Sequence, residues 1–280
     1  MKTISCKKIE KLICENAVKA NIFLPCDIKS AIEKSYKNEK NNYAKFILSK
    51  LTENYKTAEE KTIPVCQDTG MVVVFISIGQ DVHIVDGDLY TSINMGIEAA
   101  YTNNPLRLSV VEDPLFRKNT NTNTPAIIHT EIVPGDKLEI LISPKGMGSE
   151  NKSRVKMFNP SADFNDIADF VLETVSIAGP SACPPMVIGV GIGGNFEYCT
   201  LLSKKALCRD INIPNDDELY AKMEKELLKR VNELNIGPGG FKGKTTALSV
   251  NIEKYPTHIA GLPVAVNIGC HATRHCRIVL

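Results

Sequence analysis

Residues 65–79 read VCQDTGMVVVFISIG. The second part, MVVVFISIG, is rich in β-branched residues and too short for a helix of this composition, so it reads as a buried strand. VCQDTG then stands at a strand entrance and sets Cys66, Gln67, Asp68 and the turn residue Gly70 side by side. The same context, a cysteine in a turn against an apolar strand, recurs at ACPPMVIGV (182–190) and VAVNIGCHATR (264–274).

Outward from that strand the pattern alternates. The first sixty residues read as helices: KKIEKLICENAV, then CDIKSAIEKSYKNE with Asp27 as N-cap, then NNYAKFILSKLTENY. DGDLYTSINMGIEAAYTNN is an acid-capped helix that delivers the chain to PLRLSVVEDP, with Arg107 on a loop. AIIHTEIVPGDKLEILISPKG gives two strands joined by a Pro-Gly-Asp turn, and KGMGSENKS a polar loop. SADFNDIADFVLETVSIAG is a helix; PPMVIGVGIGGNFEYCTLLSKKAL is a strand, a glycine loop and a helix. DDELYAKMEKELLKRVNEL carries Leu219, Met223, Leu227, Val231 and Leu234 on one stripe, and TALSVNIEKY and LPVAVNIGC follow as strands. The fold class is therefore α/β in the mixed α+β sense, mixed sheets flanked by helices. The 280 residues are expected to form one large two-lobed domain, with residues 1–60 a helical lead-in.

Charge excludes some partners. The 33 basic and 32 acidic residues leave a net charge of +1, which points to no nucleic acid and no acidic membrane surface. The apolar runs are far shorter than the roughly 20 residues that span a bilayer, and the N-terminus has no signal core, so a cytoplasmic protein is expected.

Nine cysteines, an odd number with no CxxC pair, argue against a disulfide framework and a zinc ribbon. Three thiolates in matching loops suit an iron–sulfur cluster with one iron lacking a protein ligand, an open Lewis acid. A zinc site completed by His258 or His271 is the competing reading, and spacing leaves both open. GVGIGG places Gly189, Gly191 and Gly194 in a G-x-G-x-x-G pattern, but no second strand ending in an acid follows, so a nicotinamide-binding oxidoreductase is a distant alternative.

VCQDTG, LRLSVVEDP, KGMGSENKS, CPPMVIGVGIGG with LLSKKAL, and THIAGLPVAVNIGCHATRH, in that order, resemble the α-subunit of class I, iron–sulfur-dependent fumarases and the related L-tartrate dehydratases. The resemblance runs from about residue 60 to the C-terminus. It implies a [4Fe-4S] cluster on Cys66, Cys183 and Cys270, and a hydro-lyase acting on a four-carbon dicarboxylate. Fumarate to L-malate, a tricarboxylic acid cycle reaction, is favoured over tartrate to oxaloacetate. Asp68 becomes the acid–base residue, also reachable as the cap of an Asx turn before Gly70, and His258 a second catalytic contact. Gln67, Arg107, Lys145, Gly146, Gly148 and Ser149 would bind substrate, Arg107 by clamping a carboxylate with its forked donors rather than pairing with Glu112 or Asp113. Met147 stands where the family often has glycine. Because single-chain members carry a further C-terminal domain, the resemblance implies a separate β-subunit and an α–α homodimer within an α2β2 assembly.

Overall fold

The computed structural model describes residues 2–280. In chain order the elements are β1 (Lys2–Ser5), α1 (Cys6–Ile22), α2 (Cys26–Asn38), α3 (Asn42–Lys61), β2 (Met71–Gly79), β3 (Val82–Val85), α4 (Leu89–Thr102), β4 (Ile127–Val133) and β5 (Leu138–Lys145). They continue with α5 (Met147–Glu150), β6 (Arg154–Phe158), α6 (Phe164–Ala178), β7 (Met186–Gly194), α7 (Phe196–Ala206), α8 (Glu218–Glu233), β8 (Ala247–Thr257), β9 (Leu262–Gly269) and β10 (Cys276–Val279). The chain divides into two compact units: the first holds the segment ending at Leu24 with Tyr55–Met147 and Arg274–Leu280, the second Pro25–Asn54 and Gly148–Thr273. No helix among the described residues is long and apolar enough to cross a membrane.

In the first unit β2 lies inside a mixed four-stranded sheet of order β10-β5-β2-β4, antiparallel to β5 and parallel to β4. A strand paired on both edges and covered on its faces reads as a continuous apolar run, and Val72 to Ile76 are all buried. Ile9 and Ile13 of α1, Ile93 and Ile97 of α4, and Leu138, Ile140 and Ile142 of β5 complete this core. Asp88 caps α4 by accepting from the Thr91 N–H at 2.7 Å. The strands on either side of the Pro-Gly-Asp turn do not pair with each other. β2 lies between them, and the turn wraps its end, with Asp81 N–H donating to the Gly135 carbonyl at 2.9 Å.

In the second unit the sheet order is β6-β9-β7-β8, with β7 antiparallel to β9 and parallel to β8. Its core joins Phe170, Val171 and Val175 of α6, Leu227 and Val231 of α8, and the apolar residues of β7, β8 and β9. A capping box between Asp163 and Asp166 starts α6. Two expectations are corrected here. Pro25 rather than Asp27 precedes α2, and Asp27 is buried in its first turn, where its carboxylate accepts from the Ile211 N–H at 2.9 Å. Leu219 of the α8 stripe is 61% exposed, because the buried face turns through Glu224, Leu227 and Val231.

The glycine segment is also not a loop. Gly189 and Gly191 lie within β7, and a Cβ on them would fall 2.1 Å from the Ser203 carbonyl oxygen and 2.0 Å from that of Cys199. These glycines let the backbone of α7 close onto the strand. They cradle no phosphate: the fingerprint needs them in the turn after the strand, and here the strand runs through all of them.

Candidate functional site

The loop entering β2 is built around Asp68. Its Oδ1 accepts from the Gly70 N–H at 3.0 Å, closing an Asx turn, and its Oδ2 accepts from the Met147 N–H at 2.9 Å. Gly70 has φ +77°, and a Cβ there would meet the Lys145 backbone at 2.6 Å, so the turn tolerates no side chain. Met147 has no positive φ, so the methionine in KGMGS takes an ordinary helical conformation. Lys145, at the end of β5, is buried, and its Nζ donates to the Gly146 carbonyl at 3.4 Å. Gln67 is exposed, and its Oε1 faces the Cys66 Sγ at 3.8 Å.

Arg107 is joined to this loop by a reciprocal pair: its N–H donates to Thr69 Oγ1 at 2.9 Å, and that hydroxyl donates back to its carbonyl at 3.1 Å. Its guanidinium is exposed and pairs with neither nearby acid. Glu112 pairs with Lys118, and Asp113 Oδ1 accepts the N–H groups of Leu115 and Phe116. The result is a carboxylate aimed by two backbone donors and a forked cation with no carboxylate partner among the described residues, both fixed to the loop before β2.

Three buried side chains from distant parts of the chain hold the loop from below. Arg274 donates through Nη2 to the Asp68 carbonyl at 2.7 Å and through Nε to Asn21 Oδ1 at 3.2 Å. Tyr101 donates its hydroxyl to the Thr69 carbonyl at 2.7 Å and accepts from Asn21 Nδ2 at 3.3 Å. Asn123 donates to the Gly70 carbonyl at 3.1 Å.

Burial pushes the Tyr101 phenol up to about 12, the Asn21 hydrogen bond and the Arg274 charge opposing it only in part. Below pH 10 both folded and unfolded chains keep this proton; above it the unfolded phenol ionises first. The contribution is therefore whole at neutral pH and lost as pH rises from about 10 to about 12, a total of about 2–3 kcal/mol. Denaturant titrations of wild type and Tyr101→Phe check this. The stability advantage of wild type should shrink by that amount over this window, and a pH-independent difference would refute the assignment.

In the second unit Cys183 and Cys270 are brought to one end of the sheet. Cys183 lies just before β7 and Cys270 just after β9, and those strands are antiparallel with Val187 opposite Gly269. Cys183 has φ 53° and ψ 61°, a left-handed conformation that costs a non-glycine residue of order 1 kcal/mol or more. It is held there by its own N–H on the Pro180 carbonyl at 3.0 Å and by His271, whose N–H and Nδ1 meet the Cys183 carbonyl at 3.3 and 3.0 Å. The Cys183 thiol is exposed and that of Cys270 half-buried, whereas Cys6, Cys199 and Cys208 are buried. Cys66, in the first unit, is half-buried. Burial pushes the Cys14, Cys199 and Cys276 thiols up, away from the thiolate a metal takes. Within neither unit do the described residues include three or more His, Cys, Asp or Glu arranged to hold a metal ion.

The segment formed by α5 and the turn after it is tied to the same end of β9. Ser153 Oγ accepts from Asn267 Nδ2 at 2.9 Å and from the Ile268 N–H at 3.0 Å, and Glu150 accepts from Asn267 and pairs with Lys204. Ser149 is buried in this segment, and a Cβ on Gly148 would meet nothing within 4 Å.

Residues 10–279 match the family described as Fumarate hydratase (Fumerase). The chain belongs to that family. Its relatives include the putative L(+)-tartrate dehydratase subunit alpha of Methanocaldococcus jannaschii, 42% identical over 273 residues and covered to 95% in both chains. The L(+)-tartrate dehydratase subunits alpha of Escherichia coli and Shigella boydii are each 29% identical over 270 residues, spanning 95% of this chain and 89% of theirs. As a member of the fumarate hydratase family the chain is a hydro-lyase.

In this fumarate hydratase family member His258 is not brought to the thiols. It sits in the turn between β8 and β9, and the length of β9, about 25 Å at the usual strand rise, separates it from Cys270. Its Nδ1 accepts from the Ala260 N–H at 3.1 Å, a turn-forming role. The same placement removes it as a fourth zinc ligand beside Cys183 and Cys270. The residues that sequence reasoning missed are Asn21, Thr69, Tyr101 and Asn123. Each is an ordinary polar residue in its local pattern, and only its burial in the fold reveals it.

Proposed function

We propose that the chain is the α-subunit of a [4Fe-4S]-dependent hydro-lyase that reversibly hydrates fumarate to L-malate and is completed by a separate β-subunit. The observation that carries the reading is the Asp68 loop, where a carboxylate held by two N–H donors shares its anchor with the unpaired guanidinium of Arg107. Reversible addition of water across a double bond conjugated to carboxylates needs a base for the carbon-bound proton and a cation for a carboxylate. Asp68 takes the first role and Arg107 the second. Gln67, Lys145, Gly146, Gly148 and Ser149 add substrate donors, and His258 stands outside the set supplied by one chain.

The donor chemistry fits the cluster. Cys66, Cys183 and Cys270 are unbridged thiols on loops, Cys183 exposed and the other two half-buried, and the Cys183 backbone is held in a strained conformation by His271. We assign them as the cluster ligands; when bound, the cluster would supply a Lewis acid for the substrate hydroxyl. His271 meets the Cys183 carbonyl through Nδ1 and so helps position the turn that carries that thiol.

The relatives' names favour a second reading in which the same residues dehydrate L-tartrate to oxaloacetate. Both readings share the water, the acid–base residue and a four-carbon dicarboxylate, in a cytoplasmic α2β2 enzyme. The test is anaerobic assay of the iron-loaded chain, its β-subunit and their mixture against fumarate and L-tartrate. Turnover should appear only in the mixture, with fumarate the better substrate. A mixture inactive on both would overturn the function, and preference for tartrate would select the second reading.

A further inference from the structure

The residues around Arg107 read LRLSV, and their burial alternates as in a half-covered strand: Leu106 and Val110 are buried and Leu108 partly so, while Arg107 and Ser109 face solvent. Yet residues 106–110 belong to no strand. Side chains stand in for the missing neighbour. Thr69 Oγ1 meets both the N–H and the carbonyl of Arg107, Asn119 Nδ2 donates to the Leu108 carbonyl at 2.9 Å, and Asn123 Oδ1 accepts from the Ser109 N–H at 2.7 Å.

Asn123 reaches further than the other two. It is fully buried, and its Nδ2 donates to the Gly70 carbonyl at 3.1 Å, so one amide bridges the segment that carries Arg107 and the turn that aims Asp68. The two contacts dictate the side chain. The Ser109 N–H needs an acceptor and the Gly70 carbonyl a donor, which an amide supplies together and a carboxylate does not. The backbone at Asn123, with φ +58°, is a left-handed conformation that Asn adopts more readily than most residues. Thr69 is equally constrained. It is 1% exposed, and its one hydroxyl accepts from the Arg107 N–H while donating to the Arg107 carbonyl, a double role open to Ser and closed to Val.

We propose that Asn123 and Thr69 are positioning residues that fix the Arg107 guanidinium relative to the Asp68 carboxylate, so that both reach one bound dicarboxylate. They touch no substrate themselves. Their part is to hold an otherwise unpaired stretch of backbone in register with the Asp68 turn, which removes the freedom Arg107 would lose on binding. The inference rests on the roles given to Asp68 and Arg107 under the hydro-lyase reading above.

The experiment is steady-state kinetics of the assembled enzyme, with inhibition by succinate, a dicarboxylate that has no double bond to hydrate, as a readout of binding alone. Thr69→Val and Asn123→Asp should each raise KM and the succinate inhibition constant by about 10-fold or more while kcat falls less than about 3-fold, the pattern of lost ground-state binding. Thr69→Ser keeps the hydroxyl and should match wild type in both constants. Thr174→Val is the control: it removes a buried hydroxyl of α6 that donates to the Phe170 carbonyl at 2.7 Å, and it should leave KM unchanged whatever it does to the thermal midpoint. If Asn123→Asp does not fold, Thr69→Val decides alone. Wild-type KM in Thr69→Val, or a KM raised as much in Thr69→Ser or Thr174→Val, would overturn the positioning role and leave the hydro-lyase reading standing. A wild-type mixture inactive on fumarate and L-tartrate would overturn that reading, and the positioning role with it.

Discussion

Asp68→Asn should lower kcat of the assembled enzyme by about 10²- to 10⁴-fold, the range expected for removing a general acid–base group. The substitution keeps the shape of the loop. Its carbonyl oxygen still accepts from Gly70, but the amide group now faces the Met147 N–H, donor against donor, where Asp68 Oδ2 had accepted. An unmet hydrogen bond of this kind costs about 1–3 kcal/mol, too little to unfold the chain, so loss of turnover and loss of fold are separable by comparing kcat with the thermal midpoint. KM should change far less than kcat, because Arg107 and its anchor Thr69 are untouched. Unchanged turnover would reduce Asp68 to the cap of its Asx turn.

A large effect on stability is expected at Gly191→Ala. An added Cβ would fall 2.0 Å from the Cys199 carbonyl oxygen, 2.7 Å from the Ser203 nitrogen and 2.9 Å from the Leu202 Cβ, all on α7. Two of the three are backbone atoms, so no rotamer change relieves the clash and α7 must move off β7, at a cost of about 3 kcal/mol or more. Gly148→Ala is the matched control, with nothing within 4 Å of its new Cβ. Urea denaturation of both variants tests the packing role of the glycine motif, and a near-neutral Gly191→Ala would contradict it. The same role predicts no nicotinamide binding.

Where local chemistry decides the structure, the sequence could be read directly. MVVVFISIG is β2 to the residue, and the helices capped by Asp88 and Asp163 begin where their side-chain oxygens meet free N–H groups. Failures came where partners are distant. The insertion of β2 between β4 and β5, and of β7 between β8 and β9, leaves no local mark, since each strand carries the same apolar pattern whichever neighbour it takes. GVGIGG shows that a glycine pattern records only a demand for close backbone approach; a helix met that demand here. At the candidate site, the Asx turn of Asp68 was legible because it closes within a local motif. Asn21, Tyr101 and Arg274 come from positions up to 253 residues apart in the chain and meet only in the folded first unit.

The cluster assignment is tested most directly by anaerobic reconstitution with iron and sulfide, scoring iron, sulfide and visible absorption per chain. Wild type should take up about four irons, as a cubane cluster requires. Cys66→Ala, Cys183→Ala and Cys270→Ala should each abolish stable uptake, while Cys26→Ala, which removes an exposed thiol outside the proposed set, should leave it intact. Absence of iron in wild type, or silent substitution at all three positions, would contradict the account.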